Sequence, residues 1–288
     1  MSQTIHLGIS TCPNDTFAFH GLLAGKVDTC GLDFKIELTD VQDLNERLAQ
    51  GHFDVAKGSF HAAFLLSDHL GVLPSGSALG YGVGPVVLAT EPVELPAEPR
   101  DDEPDPTPTP RVLCPGRFTT ATLLWQLFHG RLAHPSQALF SEIMPALKAG
   151  DTDLGVCIHE GRFTYADWGL VLVEDLGASW EARTSMPLPL GGILARRSLA
   201  DDVLRRIQAC VRASIDYGLS HRDETLKTMR RHAQEMDDEV LWSHVGLYVN
   251  EWTRELGPDG RRALSFLSAM GRSRGLVPEV QAPLEVLV

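Results

Sequence analysis

The sequence predicts an α/β fold of two lobes, and three observations support that prediction. Apolar strand-like runs alternate with helical runs from residue 5 to about 90, and this alternation resumes after residue 110, which is typical of layered α/β folds with a mostly parallel sheet. A proline-rich acidic segment separates the two regions. The 288 residues, 43% of them hydrophobic, can bury enough apolar surface for about two domains.

The first lobe is expected to begin with an apolar strand over residues 5–9, followed by the polar turn 10–17, which opens a helical run. The start of a helix leaves backbone N–H groups unpaired and carries partial positive charge. Asn14, Asp15 and Thr16 can therefore either cap this helix or reach an anionic ligand.

The next elements of this lobe repeat the pattern. Residues 32–38 alternate as a strand, Asp40 is expected to cap a helix, and Gly51 lies just beyond the end of that helix. Residues 53–56 predict another strand, and Ser59 then opens a further helix. Two helix starts are therefore expected at strand ends of the same lobe.

The segment 91–110 interrupts this alternation with seven prolines among acidic residues. Proline favours extended backbone and removes hydrogen-bond donors, so neither a helix nor a central strand is expected here. We interpret residues 92–110 as an exposed linker or loop, which serves either as an inert spacer or as a contact for a partner.

The second lobe is expected to repeat the architecture of the first. A strand over 111–114, a turn over 115–118 and a helix from Thr119 open it. Further strands are predicted over 139–140, 154–158 and 170–173, with a helix over 142–149 that ends at Gly150.

A second crossing between the lobes is expected at 187–192, where prolines and glycines interrupt the periodicity. The remainder is predicted to be helical, in segments near 200–220, 223–234, 237–250 and 258–274. The predicted lobes are thus 1–91 with 191–288, and 111–190. By analogy this is a type II periplasmic-binding-protein-like fold, whose ligand cleft lies between the lobes.

Composition limits the classes of partner. The net charge is −13, the pI is about 5.2 and the densest basic cluster is only three residues long, so we expect no binding to nucleic acid. Five separate cysteines without a CxxC pair indicate reduced thiols and a cytoplasmic protein. No signal peptide or membrane span is predicted. A small anionic molecule is the expected partner, and the chain is expected to be a monomer or a homodimer.

Two further strand-to-helix junctions offer donors for an anion. Lys57, Gly58 and Ser59 form one of them, and Lys57 either offsets a negative ligand or forms a buried salt bridge within its lobe. Thr119 and Thr120 form the other, and their hydroxyl and N–H groups suit a carboxylate or phosphate unless they serve only to cap the helix.

His159 is the candidate catalytic residue, because it directly follows the apolar strand that delivers it to the expected cleft. An imidazole is partly neutral near neutral pH and can act as a general base, although a structural or capping role remains an alternative. Glu160 or Arg162 can orient it, and Arg162 can equally form a surface ion pair.

The remaining histidines are interpreted as structural or solvated; they include His61, His69, His129, His134 and His244. No metal site is predicted, since the sequence has no HExxH motif and no clustered His/Cys ligands. The glycines of 80–84 match neither a dinucleotide-binding nor a phosphate-binding motif, and we expect a tight crossing at the cleft wall.

Four motifs together resemble those of the 1,4-dihydroxy-6-naphthoate synthases, a futalosine-pathway family of menaquinone biosynthesis. They are STCPNDTF at 10–17, GYGVGP at 80–85, IHEGRFTY at 158–165 and LPLG at 188–191. The resemblance implies a lyase without a cofactor that converts cyclic dehypoxanthinylfutalosine to 1,4-dihydroxy-6-naphthoate in a two-lobed clamp. It implies His159 as the proton acceptor and ligand contacts at 57–59 and 119–120.

The chain departs from this family's usual pattern at Thr11, where proline is expected, and in the length of the insert at 91–110. Two other functions remain open at this stage. One is chorismate dehydratase of the same pathway, against which the turn at 12–15 and the motif around His159 both count. The other is a carboxylate-binding clamp protein without catalysis.

Overall fold

The structure is a computed structural model that describes residues 3–96, 108–233 and 237–288. Its strands are β1 (Gln3–Ser10), β2 (Leu32–Thr39), β3 (Val55–Ser59), β4 (Leu70–Val72), β5 (Ala78–Gly80), β6 (Val86–Ala89), β7 (Val112–Cys114), β8 (Ser136–Gln137), β9 (Leu154–Cys157), β10 (Val171–Asp175) and β11 (Leu188–Arg196). Most of the predicted linker, residues 97–107, lies outside the described residues.

The helices alternate with the strands in the first two thirds of the chain and follow one another in the last third. They are α1 (Pro13–Ala18), α2 (His20–Leu23), α3 (Val41–Ala49), α4 (Phe60–Leu65), α5 (Thr120–His129), α6 (Phe140–Ala149), α7 (Gly161–Thr164), α8 (Leu176–Thr184), α9 (Asp201–Ser220), α10 (Arg222–His232), α11 (Asp238–Tyr248), α12 (Glu251–Arg254) and α13 (Gly257–Ser273). None of these helices combines the length and apolar character that crossing a membrane requires.

The strands of the described residues form two sheets. One has the order β2-β1-β3-β11-β4, with β5 paired to β11, and the other has the order β10-β6-β9-β7-β8. The β1-β2 and β1-β3 pairs are parallel, whereas β11 runs antiparallel to its neighbours. Parallel pairing places the carboxyl ends of β1 and β3, and so the starts of α1 and α4, at the same edge of the first sheet.

Local signals in the sequence account for several helix boundaries. Asp40 caps α3 as predicted, since its side chain accepts a hydrogen bond from the N–H of Gln42. Gly150 ends α6 with a φ of 76°, a left-handed conformation that glycine adopts without steric cost. The predicted strand at 139–140 is wrong, because Leu139 caps α6 and Phe140 begins it.

The chain passes between the sheets at positions that differ from the predicted ones. β6 pairs with β9 and β10, so Val86–Ala89 belongs to the second sheet although the predicted first lobe extends to residue 91. The residues expected to form the second crossing instead begin β11, a continuous strand of the first sheet. The crossings therefore lie at 81–85 and between β10 and β11.

One of the buried apolar clusters of the described residues extends across both sheets. It includes Phe60 on α4, Trp125 on α5, Val87 on β6 and Leu194 on β11, all at most 1% exposed. Because this core is continuous, the strand ends of the two sheets are held close together on either side of a pocket.

Candidate active site

The pocket between the two sheets has an empty volume of about 660 Å³, including the part that is open to solvent. Its wall is formed by the ends of β1 and β3, the residues that follow β9, and the starts of α1, α3 and α5. The segment from β5 to β6, part of β11 and the last turns of α11 complete it. Strand ends and helix starts from both sheets thus converge on one space, as expected for an α/β ligand site.

Eight of the ten predicted site residues line this pocket. They are Asn14, Asp15, Lys57, Gly58, Ser59, Thr119, Thr120 and His159. Thr16 does not line it: this buried residue donates its hydroxyl hydrogen to the carbonyl of Cys12, 3.1 Å away. Arg162 does not line it either, because its guanidinium lies 2.6 Å from Asp175 and donates to the carbonyl of Gly84. The ion-pair interpretation of Arg162 is therefore the one that the structure supports, although the pair is only partly exposed.

A buried ion pair connects the first two junctions. Lys57 Nζ lies 2.8 Å from Asp15 Oδ1, and both side chains are at most 7% exposed. Ser10 and Asn14 also donate hydrogen bonds to the Asp15 carboxylate, at 2.5 and 2.9 Å. Lys57 thus forms the salt bridge within its lobe that the sequence left as an alternative, while still lining the pocket.

Ser59 is held in place by the side chain of Asn45 on α3. Asn45 donates from Nδ2 to the Ser59 hydroxyl at 3.0 Å and accepts from the Ser59 N–H at 2.9 Å. The Ser59 hydroxyl therefore keeps its own hydrogen available to a molecule in the pocket, since the described residues offer it no acceptor.

The threonine hydroxyls at the start of α5 are engaged within the protein. Thr119 caps the helix by accepting from the N–H of Thr122 and donates to the carbonyl of Gly116. Thr120 donates to the carbonyl of Leu190 on β11 at 2.6 Å. The capping alternative is thus realised for Thr119, and Thr120 joins α5 to the first sheet.

The anion donors at the start of α5 are backbone groups instead. The N–H groups of Thr120 and Ala121, which line the pocket, have no hydrogen-bond acceptor among the described residues. Free N–H groups in the first turn of a ten-residue helix favour a carboxylate or phosphate oxygen.

His159, the second residue after β9, occupies an unusual backbone conformation. Its φ is 57°, in the left-handed region that costs a residue with a side chain about 1–3 kcal/mol. The imidazole contacts the Cys12 thiol, whose Sγ lies 3.4 Å from Nδ1, and the ring of Phe140, whose centroid lies 5.0 Å away. This strained conformation directs the imidazole to the pocket, where it meets residues of the first lobe.

Sequence reasoning did not identify the two residues that α11 contributes to the pocket wall, His244 and Tyr248. His244 is 1% exposed, so the solvated interpretation is wrong, and burial holds the pKa of its imidazole well below the usual range. Burial likewise raises the pKa of the Tyr248 phenol. The available signal was the position of His244 in the apolar stripe of α11, beside Leu241 and Val245, which are both buried.

A second group of titratable side chains lies on the edge of the first sheet, away from the pocket. Ligand atoms of His6, Glu37 and His52 lie within 4.8 Å of one another. The guanidinium of Arg47 contacts both Glu37 and His52 and supplies the positive charge there. Together with the imidazole of His6, Arg47 lowers the pKa of Glu37 to about 2, so this group is an ion-pair network.

Comparison of the sequence with known proteins identifies relatives over nearly its whole length. A family model described as menaquinone biosynthesis matches residues 5–273. A 1,4-dihydroxy-6-naphtoate synthase from Thermus thermophilus is 41% identical over 284 residues, which cover 99% of this chain and 100% of the relative. A protein of the same name from Streptomyces coelicolor is 38% identical over 283 residues and covers 96% of each chain.

Solved structures identify the fold. A crystal structure of a protein from Archaeoglobus fulgidus matches 95% of this chain and 98% of its own, with a TM-score of 0.86 and 31% identity. The periplasmic aliphatic sulphonate binding protein from Escherichia coli matches 100% of this chain and 94% of its own, with a TM-score of 0.64 and 12% identity. The predicted periplasmic-binding-protein-like fold is therefore confirmed.

Proposed function

The chain belongs to the menaquinone biosynthesis family, and from this membership and the pocket we propose that it converts cyclic dehypoxanthinylfutalosine to 1,4-dihydroxy-6-naphthoate, with His159 as general base. The family match and the identity to two named synthases support the reaction. The observation that carries the role of His159 is its strained position in a pocket lined from both sheets.

The pocket offers different chemistry at different points. The N–H groups of Thr120 and Ala121 suit the carboxylate of the substrate, and Lys57 adds positive charge although it is shared with Asp15. Apolar wall residues, including Val83 and Ile158, suit the flat ring system. His159 lies where the cyclic polyol portion of the substrate would then be placed.

In the proposed mechanism, His159 accepts a proton from an acidic C–H or O–H group of the cyclic polyol. Loss of this proton starts carbon–carbon cleavage, and aromatisation of the product makes the reaction favourable. The pocket would contribute by orienting the substrate and by excluding water when the two lobes close on it. General base catalysis of this kind typically contributes about 10²- to 10⁴-fold in rate.

The decisive experiment is product analysis with purified protein and cyclic dehypoxanthinylfutalosine. Formation of 1,4-dihydroxy-6-naphthoate, detected by chromatography and mass spectrometry, is the expected result. Parallel incubation with chorismate tests for dehydratase activity. Recovery of the cyclic compound unchanged but bound would indicate a binding protein and contradict the proposal.

A further inference from the structure

His244 is the most deeply buried imidazole of the pocket wall, and its polar atoms are unsatisfied. The side chain is 1% exposed, and neither Nδ1 nor Nε2 has a hydrogen-bond partner in the part of the chain that the structure describes. Aromatic rings surround it, with the Tyr248 centroid at 4.5 Å and the His159 and Phe163 centroids both at 6.3 Å.

Such a residue is costly for the protein alone. A buried polar group without a partner destabilises a fold by about 1–3 kcal/mol, and an apolar side chain of similar shape would avoid this loss. His244 therefore contributes less to stability than a phenylalanine would in the same apolar surroundings. No described residue satisfies its nitrogens, and a molecule that enters the pocket can supply the missing hydrogen bonds.

The protonation state of His244 defines what that molecule must offer. Burial, and secondarily the nearby His159 and Lys57, keep the imidazole neutral near pH 7 by lowering its pKa. A neutral imidazole has one N–H donor and one lone pair, so it can donate to one oxygen and accept from a hydroxyl. This pattern fits hydroxyl groups and does not fit a second carboxylate, which cannot donate.

We propose that His244 is a substrate-binding residue that hydrogen-bonds the hydroxyl-bearing ring of the substrate beside His159. This inference rests on the proposed function and deepens it by assigning the polyol subsite. The two imidazoles are inclined by only 28°, with centroids 6.3 Å apart. Both rings line the same pocket, so a ligand that contacts His159 there also lies beside His244. The carboxylate would bind at the start of α5.

The test compares His244→Phe and His244→Gln with the natural protein. The phenylalanine variant should keep or raise the melting temperature while raising KM for the cyclic substrate at least tenfold, and glutamine should restore part of the affinity. A change confined to stability, with KM within twofold of the natural value for both variants, would contradict the proposal. If the phenylalanine variant does not fold, KM is instead compared between the natural protein and the variants His244→Gln and His244→Asn.

A matched control is His20→Phe. His20 is 5% exposed and has one buried ring nitrogen, Nε2, without a partner among the described residues, yet it does not line the pocket. Its replacement should leave KM unchanged. An increase in KM as large as that of His244→Phe would show a general packing effect and overturn the assignment.

The proposed binding role of His244 can be tested separately from the proposed reaction. If the natural protein forms no product, the proposed function fails, and calorimetric binding of the same cyclic compound then decides the role of His244. Weaker binding by His244→Phe would support the subsite, whereas equal binding, or no binding by the natural protein, would refute it.

Discussion

The Sγ atom of Cys12 lies 3.4 Å from Nδ1 and 3.6 Å from Nε2 of His159, although the two residues are 147 positions apart. Cys12 is the N-cap residue of α1, which follows β1 of the first sheet. His159 follows β9 of the second sheet. Burial raises the pKa of the Cys12 thiol, with the Asp15 carboxylate as a further cause, so the group is a neutral thiol. It can orient the imidazole but is a poor nucleophile.

Replacement of Cys12 tests this orienting role. Loss of this weak thiol–imidazole contact should cost about 0.5–1.5 kcal/mol, so Cys12→Ala should lower kcat about 2- to 10-fold with little change in KM. Cys12→Ser should retain more activity because it keeps a donor and acceptor. Cys30→Ser, outside the pocket, serves as the control. If both Cys12 variants had the same activity as the natural protein, the contact with His159 would have no role in catalysis.

Substitution of His159 should separate catalysis from folding. Asparagine tolerates a left-handed backbone better than alanine does, so His159→Asn should preserve the melting temperature. Turnover should fall about 10²- to 10⁴-fold because the general base is lost. Steady-state kinetics and calorimetric binding of the cyclic substrate measure the two effects. Turnover close to that of the natural protein would remove His159 from the proposed role.

The buried Asp15–Lys57 pair should be sensitive to removal of one partner. Lys57→Met leaves the carboxylate of Asp15 buried without its counter-ion, which typically costs about 3–5 kcal/mol. The double variant Asp15→Asn/Lys57→Met should recover part of this loss, because the remaining amide is uncharged. Urea denaturation measures the free energies of unfolding. A double variant that is less stable than the single one would contradict the assigned cause.

His61 should make folding stability depend on pH. Burial lowers the pKa of His61 to about 4 from an ordinary value of 6.5, so between these values the unfolded chain binds a proton that the folded chain does not. The neutral His61 therefore contributes to the free energy of unfolding. This contribution is complete above about pH 6.5 and is lost as the pH falls towards 4, by about 2 kcal/mol between pH 7 and 5. His61→Gln should flatten that part of the pH profile. An unchanged slope in urea titrations would refute the contribution.

Gly84 should not accept a side chain. A Cβ atom there would lie 2.2 Å from both the Cα and the N atom of Gly177, at the start of α8. Gly84→Ala should therefore destabilise the fold by about 1–3 kcal/mol and disturb the pocket wall. Gly246→Ala is the matched control, because a Cβ atom meets nothing within 4 Å there. Helix propensity predicts that the control is about 0.5–1 kcal/mol more stable than the natural protein in thermal denaturation.

Local patterns in the sequence predicted much of the fold. The cap at Asp40, the helix start at Thr119 and the helix end at Gly150 depend on neighbouring residues alone, and the structure contains all three. Strand pairing depends on residues that are distant in sequence. For that reason the sequence assigned 86–89 to the wrong sheet and interpreted the start of β11 as a crossing.

The sequence by itself determined that helix starts with anion-binding donors follow several strands, and that one histidine directly follows the strand at 154–158. Only the tertiary structure decided which donors remain available. The threonine hydroxyls are engaged, Lys57 pairs with Asp15, and His244 enters the pocket wall without a partner. The physical reason is that a buried polar atom is satisfied or left unpaired by groups that tertiary packing brings to it from other parts of the chain.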